Sequence, residues 1–188
     1  MKPIENWQKL DSQVLADFHV FRLRQDTSRS PRTGQSHNFF VLDTADWINV
    51  IPITPEGQVV LIHQFRHGVE AVTLEVPGGM VHPDDPSPAV SAARELMEET
   101  GYQAEAIIPI GTVAPNPAIL SNRCHSFLAL NVRPAGPIQL DSAEDIAIEL
   151  VNVQEIPELI ASGRIDHALV IAAFYFYESY QQQVGGGG

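Results

Sequence analysis

Residues 87–101, SPAVSAARELMEETG, are bounded as a helix at both ends. Ser87 offers a hydroxyl cap, and Pro88 sits where its missing N–H costs nothing. Gly101 is a strong stop. Between them Ala89, Ala92, Ala93 and Leu96 recur at helical spacing, which predicts one apolar face, widened by Val90 and Met97. Glu95, Glu98 and Glu99 then crowd one side of the last turns. Like charges at this spacing repel by roughly 0.2–0.5 kcal/mol, and negative charge near a helix C-terminus opposes the macrodipole. Arg94 is the only cation in the run. Two readings follow: the acidic face of an acidic protein, or a carboxylate cluster built to hold a cation. Hard divalent ions such as Mg²⁺ take carboxylate oxygens and leave room for water and substrate phosphate. The preceding loop, PGGMV, favours the second reading, because Gly78 and Gly79 let the backbone approach a ligand closely.

The whole chain narrows the partners. At 188 residues with 44% hydrophobic and 18% charged residues, it is long and apolar enough for a folded domain with a core. Its formal charge of -12 makes nucleic acid and anionic membrane poor partners, and an anionic substrate would need metal ions or placed arginines. The single cysteine, Cys124, excludes an internal disulfide and fits a reducing, cytoplasmic setting; it reads as a buried structural thiol. The opening MKPIENWQKLDS has no signal-type apolar core, and the longest apolar run, residues 168–177, is too short to span a bilayer.

Along the chain, residues 18–25 read as a strand and residues 26–36 as a polar turn. HNFFVLD, WINVIPIT and QVVLIHQFR follow as β-rich runs, the last two joined by a turn at Pro55-Glu56-Gly57. TLEVPGGMV, AIIPIGTV, HSFLALNV and IAIELVNV also read as strands, residues 154–162 as a short helix, and residues 166–180 as a last helix capped by Asp166. Strands with few helices in this order predict an α/β fold, a mixed sheet sandwiched by helices. His37, His63, His67, His82, His125 and His167 read as scattered core or surface residues rather than metal ligands, with His67 the one expected near substrate; Phe18, Phe21, Phe39, Phe40 and Trp47 read mostly as packing.

The run from Gly79 to Tyr102, GMVHPDDPSPAVSAARELMEETGY, resembles the Nudix box, G-x5-E-x7-R-E-U-x-E-E-x-G-U. Its second half matches in full at Arg94, Glu95, Leu96, Glu98, Glu99, Gly101 and Tyr102. Its first half departs: Asp85 stands in the place of the first glutamate, with one extra residue before Arg94, and is treated as structural. HQFRHGVEAVTLEVPGG, PNPAILSNRCHSFLA and SAEDIAIELV resemble the ADP-ribose and nucleoside diphosphate sugar pyrophosphatase branch of the family.

The resemblance implies a Nudix fold, an α/β/α sandwich over residues 47–183. It also implies an N-terminal antiparallel β segment, residues 1–46, that serves for homodimerisation, and a disordered tail at 184–188. It implies metal ligands at Glu95, Glu98, Glu99 and the Gly78 carbonyl, holding Mg²⁺ with Mn²⁺ as a substitute. Catalytic roles fall to Glu98, Glu99 and Glu144, and substrate contacts to Arg66, Glu75, Gly79 and Pro117; Arg94 and Gly101 are structural. The implied reaction splits the diphosphate of ADP-ribose and related nucleotide sugars into a nucleoside monophosphate and a sugar phosphate. GDP-mannose or another nucleotide as substrate, and a non-catalytic nucleotide-sugar binding module, are the alternatives.

Overall fold

A computed structural model describes residues 3–185. Its strands are β1 (Gln8–Asp17), β2 (Arg22–Arg29), β3 (Ser36–Asp43), β4 (Trp47–Ile53), β5 (Gln58–Arg66), β6 (Ala71–Glu75), β7 (Gly78–Met80), β8 (Tyr102–Gln103), β9 (Ala106–Val113), β10 (Cys124–Leu130), β11 (Arg133–Pro134) and β12 (Ile146–Asn152). Its α-helices are α1 (Pro88–Thr100), α2 (Ile156–Ala161) and α3 (Ala168–Gly185). The chain divides into two compact units: residues 1–45 with 114–123, and residues 46–113 with 124–188.

The larger unit is built on a seven-stranded mixed sheet of order β12-β5-β4-β10-β9, with β6 added on β5 and β7 on β4. Only β4 and β10 run parallel; the other pairs are antiparallel. Alternation along the strands sends side chains to two separate cores. Ile51, Leu61, Leu74 and Leu128 pack with Ile165, Val170 and Phe174 on the α2 and α3 side. Ile48, Val50, Val60 and Phe127 pack with Ala92 and Leu96 of α1 on the other. This is the α/β/α sandwich, and burial on both faces explains why β4 and β5 read as nearly continuous apolar runs. Gly111 lies against the ring of Phe176, so any side chain there would have to displace that ring. No described helix is long and apolar enough to cross a membrane.

The smaller unit is an antiparallel meander, β1-β2-β3. Here the sequence expectation needs correcting. Residues 18–21 form a turn, closed by the Phe18 N–H donating to the Phe21 carbonyl, and strand β1 lies ahead of them. The polar run counted as turn belongs to β2 as far as Arg29, because Asp26 is buried and satisfied from β1 by Ser12 at 2.5 Å and along its own strand by Arg24 at 3.2 Å. Phe18, Phe39 and Phe40 are exposed, though the Phe18 ring meets that of Phe21 and the Phe39 ring meets Trp7 edge to face. A cavity of about 680 Å³ belongs to this unit and is lined by Trp7, Arg32 and His37 among others.

Two helix ends also differ from expectation. The first bonds of α3 are accepted by the His167 carbonyl, from the N–H groups of Val170 and Ile171, so the cap falls one residue after Asp166. Helix α3 runs through Val184 to Gly185, into the segment expected to be a disordered tail; the rest of that segment, 186–188, lies outside the described residues.

Candidate active site

Helix α1 starts and stops where its sequence signals stand. Ser87 takes the N-cap position, though its hydroxyl makes no capping bond, and Gly101 closes the helix at φ 71°, its N–H donating to the Met97 carbonyl at 2.8 Å. The buried stripe is turned from the one predicted. Ala93 and Val90 are exposed, while Ser91, Ala92, Leu96, Glu99 and Thr100 are buried. One of the three glutamates therefore sits in the interior.

Glu99 is only 2% exposed, and its Oε2 accepts the Gly78 N–H at 2.9 Å. Burial, with the nearby charges of Glu95 and Glu144, pushes its carboxyl up to about 8. Glu95 is likewise raised by burial. Its carboxylate lies against the Gly79 backbone: a Cβ on Gly79 would stand 2.5 Å from its Oε1. Gly78 has no room either, since a Cβ there would meet the Ile48 carbonyl oxygen. Gly78 is thus required by the close approach of the sheet backbone, while Gly79 leaves the space that the Glu95 carboxylate fills.

Arg94 threads the cluster. Its Nη1 donates to Glu95 Oε1 at 2.9 Å and to Glu98 Oε2 at 2.8 Å, while its Nε donates to Asp85 Oδ2 at 3.1 Å. Burial disfavours its charge, but the Glu95 charge and the bonds to Glu98 and Asp85 outweigh this and raise it. Asp85 is held low, first by the Ser91 hydroxyl at 2.8 Å and then by Arg94. Its structural assignment agrees with these contacts.

Facing this helix, β5 and β6 supply a second charged group. Arg66 meets Glu75 in a bidentate pair, both contacts 2.8 Å, and Thr73 donates its hydroxyl to Glu75 at 2.6 Å. Burial pushes Glu75 up, but the bonds from Arg66 and Thr73 hold it low. The pairing with Glu75 in turn raises Arg66, with added attraction from Glu99 and Glu144. Glu75 is 3% exposed, with both of its oxygens engaged by Arg66 and Thr73. Glu144 stands on an exposed loop where its Oε2 accepts the Asp141 N–H at 3.0 Å, close enough to Glu95, Glu99 and Arg66 to be felt by each. Pro117 belongs to the β1–β3 unit.

The oxygen-only donor set fits a hard divalent cation, and a buried carboxyl raised by desolvation gains most from one. As they stand, no three or more His, Cys, Asp or Glu side chains among the described residues are arranged to hold a metal ion. Arg94 instead bridges two of the three expected ligands, Glu95 and Glu98. Elsewhere, His63 pairs with Glu149 at 2.7 Å, His125 with Asp46 at 2.9 Å, and the His67 ring with Phe65, uses that leave them outside the cluster. Cys124 is buried and its thiol is pushed up to about 11, which makes it inert.

The sequence profile of the NUDIX domain matches residues 44–174. The chain belongs to the NUDIX domain family. Three curated relatives are similar to this NUDIX chain. A methanol dehydrogenase activator of Bacillus methanolicus is 29% identical over 88% of the chain and 90% of its own length. An ADP-ribose pyrophosphatase of Bacillus subtilis is 29% identical over 70% and 71%. A GDP-mannose pyrophosphatase of Yersinia pestis is 30% identical over 93% and 89%. Among solved structures, an ADP compounds hydrolase superposes with a TM-score of 0.86 at 18% identity, covering 98% of this chain and 99% of that one, which confirms the fold.

Two residues of the site escaped sequence reasoning: Ser91 and Thr73. Each is a hydroxyl that orients a charged neighbour, and neither carries a signal that the sequence alone separates from an ordinary polar residue.

Proposed function

We propose that this NUDIX chain hydrolyses the diphosphate bond of nucleoside diphosphate sugars, ADP-ribose foremost, releasing a nucleoside monophosphate and a sugar phosphate. The observation that carries the reading is the buried Glu99 bonded to the Gly78 N–H and the Glu95 carboxylate lying against Gly79, with Arg66 near enough to feel the Glu99 charge. The relatives named as nucleotide-sugar pyrophosphatases support the substrate class.

Glu95, Glu98 and Glu99, with the Gly78 carbonyl, would hold Mg²⁺, for which Mn²⁺ substitutes. When bound, such ions neutralise the diphosphate oxygens and make water a better nucleophile. The chain's own residues do the rest. Arg66 binds the diphosphate, its fork held in place by Glu75 and Thr73. Glu144 accepts the proton of the attacking water as a new P–O bond forms and the bridging P–O bond breaks. Gly79 keeps the loop backbone against Glu95, and Gly101 and Arg94 fix the end and the charge balance of α1. A contribution of Pro117 to substrate binding belongs to the same proposal.

The assembly proposed is a homodimer through the N-terminal β segment, in the cytoplasm. Support comes from Trp7, Leu10, Val14, Phe39 and Phe40, all exposed on the β1–β3 unit, and from the lone buried cysteine. The test is hydrolysis of a panel of nucleotide sugars with and without Mg²⁺, with sedimentation to read the oligomeric state. Mg²⁺-dependent release of AMP from ADP-ribose is the expected result. Preferred release of GMP from GDP-mannose would move the substrate, and tight ADP-ribose binding without turnover under either metal would replace the hydrolase by a binding module.

A further inference from the structure

Arg94 has two jobs that pull apart. Its Nη1 arm lies between Glu95 and Glu98, two of the three carboxylates proposed to hold metal. The guanidinium holds one oxygen of each, Glu95 Oε1 and Glu98 Oε2, and a divalent cation drawn to those same oxygens would be repelled by its charge. The other arm is anchored elsewhere. Nε donates to Asp85 Oδ2, and that same oxygen accepts the hydroxyl of Ser91, which is fully buried one turn back on α1. The anchor includes none of the proposed ligands. The absence of any ready-made group of ligating side chains follows from the same picture, because Glu95 and Glu98 are turned to Arg94.

We infer that Arg94 is a resident counter-ion that exchanges with the divalent cation, its Nη1 arm leaving Glu95 and Glu98 while Nε stays on the Asp85–Ser91 anchor. Asp85 and Ser91 are then positioning residues that act through Arg94. The inference rests on the hydrolase reading above, and it deepens it: metal uptake is a competition within the protein. The anchor matters more once metal is bound, since Asp85 is then the remaining ion pair of Arg94. Without metal, Glu95 and Glu98 hold the guanidinium as well.

The test is Mn²⁺ binding to the full chain in the absence of substrate, read from the free-ion paramagnetic resonance signal. Four proteins are compared: wild type, Arg94→Gln, Ser91→Ala and the double variant, each checked by thermal melt. Removing the competitor tightens Mn²⁺ binding by about tenfold, an ordinary size for coupling between two ligands. Ser91→Ala weakens binding several-fold in the wild-type background and has no effect in the Arg94→Gln background. A purely orienting role for Arg94 predicts the opposite sign, so weaker binding in a folded Arg94→Gln protein overturns the exchange. Equal effects of Ser91→Ala in both backgrounds overturn the anchor.

If Arg94→Gln does not fold, arginine side-chain NMR of the wild type decides. The Nε–H resonance of Arg94 persists through a Mg²⁺ titration while the Nη resonances move; Nη resonances unmoved at saturation refute the exchange. Wild-type protein that takes up no Mn²⁺ overturns the metal-dependent reading and this one together. Uptake that Glu99→Gln abolishes, alongside weaker binding in Arg94→Gln, overturns this one alone.

Discussion

Replacing Glu99 by glutamine separates what the buried carboxylate does for chemistry from what it costs the fold. Glu99 is 2% exposed and accepts one backbone hydrogen bond, from Gly78. In the metal-free protein its carboxyl lies at about 8, against an ordinary 4.5. A carboxyl raised on folding contributes stability that is fully present below its unfolded value and is lost as pH climbs towards the folded one. Between those limits the metal-free fold loses about 1.4 kcal/mol per pH unit, or roughly 4 kcal/mol by pH 7.5. Glutamine keeps an acceptor for Gly78 and carries no charge, but its amide brings donors whose desolvation costs about 1–3 kcal/mol. The variant is therefore more stable than wild type at pH 7.5 without metal by about 2 kcal/mol, a rise of roughly 4–8 °C in Tm for a chain of this size. Near pH 5 the advantage disappears. The assay is a set of melts in chelator from pH 5 to 8, repeated with Mg²⁺, beside turnover of ADP-ribose. Wild type gains stability with Mg²⁺ and the variant gains little, while its turnover falls by at least about 100-fold. A gap that fails to open between pH 5 and 8, or full turnover in the variant, refutes the reasoning.

Three further outcomes follow from the same geometry. Gly101→Ala places a Cβ at φ 71° against the Gly136 carbonyl, so urea unfolding should show a loss of about 2 kcal/mol or more. Arg66→Ala raises KM for ADP-ribose by roughly 10–100-fold through loss of a charge-assisted contact, and Glu75→Gln gives a smaller rise because the fork is less firmly held. Glu144→Gln lowers kcat by about 100-fold in steady-state assays while Mn²⁺ affinity stays near that of wild type, since the role proposed for this loop residue is to take the proton and not to bind metal.

Local rules made much of the fold legible. Pro88 and Gly101 bracket α1 because chain stiffness and a left-handed φ act within one turn, and the sheet strands show as β-rich runs because both faces of the sheet are covered. Pattern failed where a polar residue takes the inside position. The predicted face of α1 counted Ala93 and Val90 and left out Ser91 and Glu99, because periodicity weighs apolarity, while here a hydrogen bond from Ser91 and the close approach of Gly78 decide what is buried. The same blindness hid β1 and displaced β2: Asp26 is satisfied by Ser12 of β1 and by Arg24 of its own strand, so a polar residue takes the inside place and no apolar alternation marks the pair. Asp85 is the instructive case. A carboxylate out of step with its motif reads as a defect in one dimension. In three dimensions one oxygen of it takes both the Ser91 hydroxyl and the Arg94 Nε–H, so it holds the one cation of the helix whatever the count of residues between them. Spacing rules describe helices well because the helix repeats. A loop closes on distance alone, and an inserted residue there is absorbed as long as the two charges still meet.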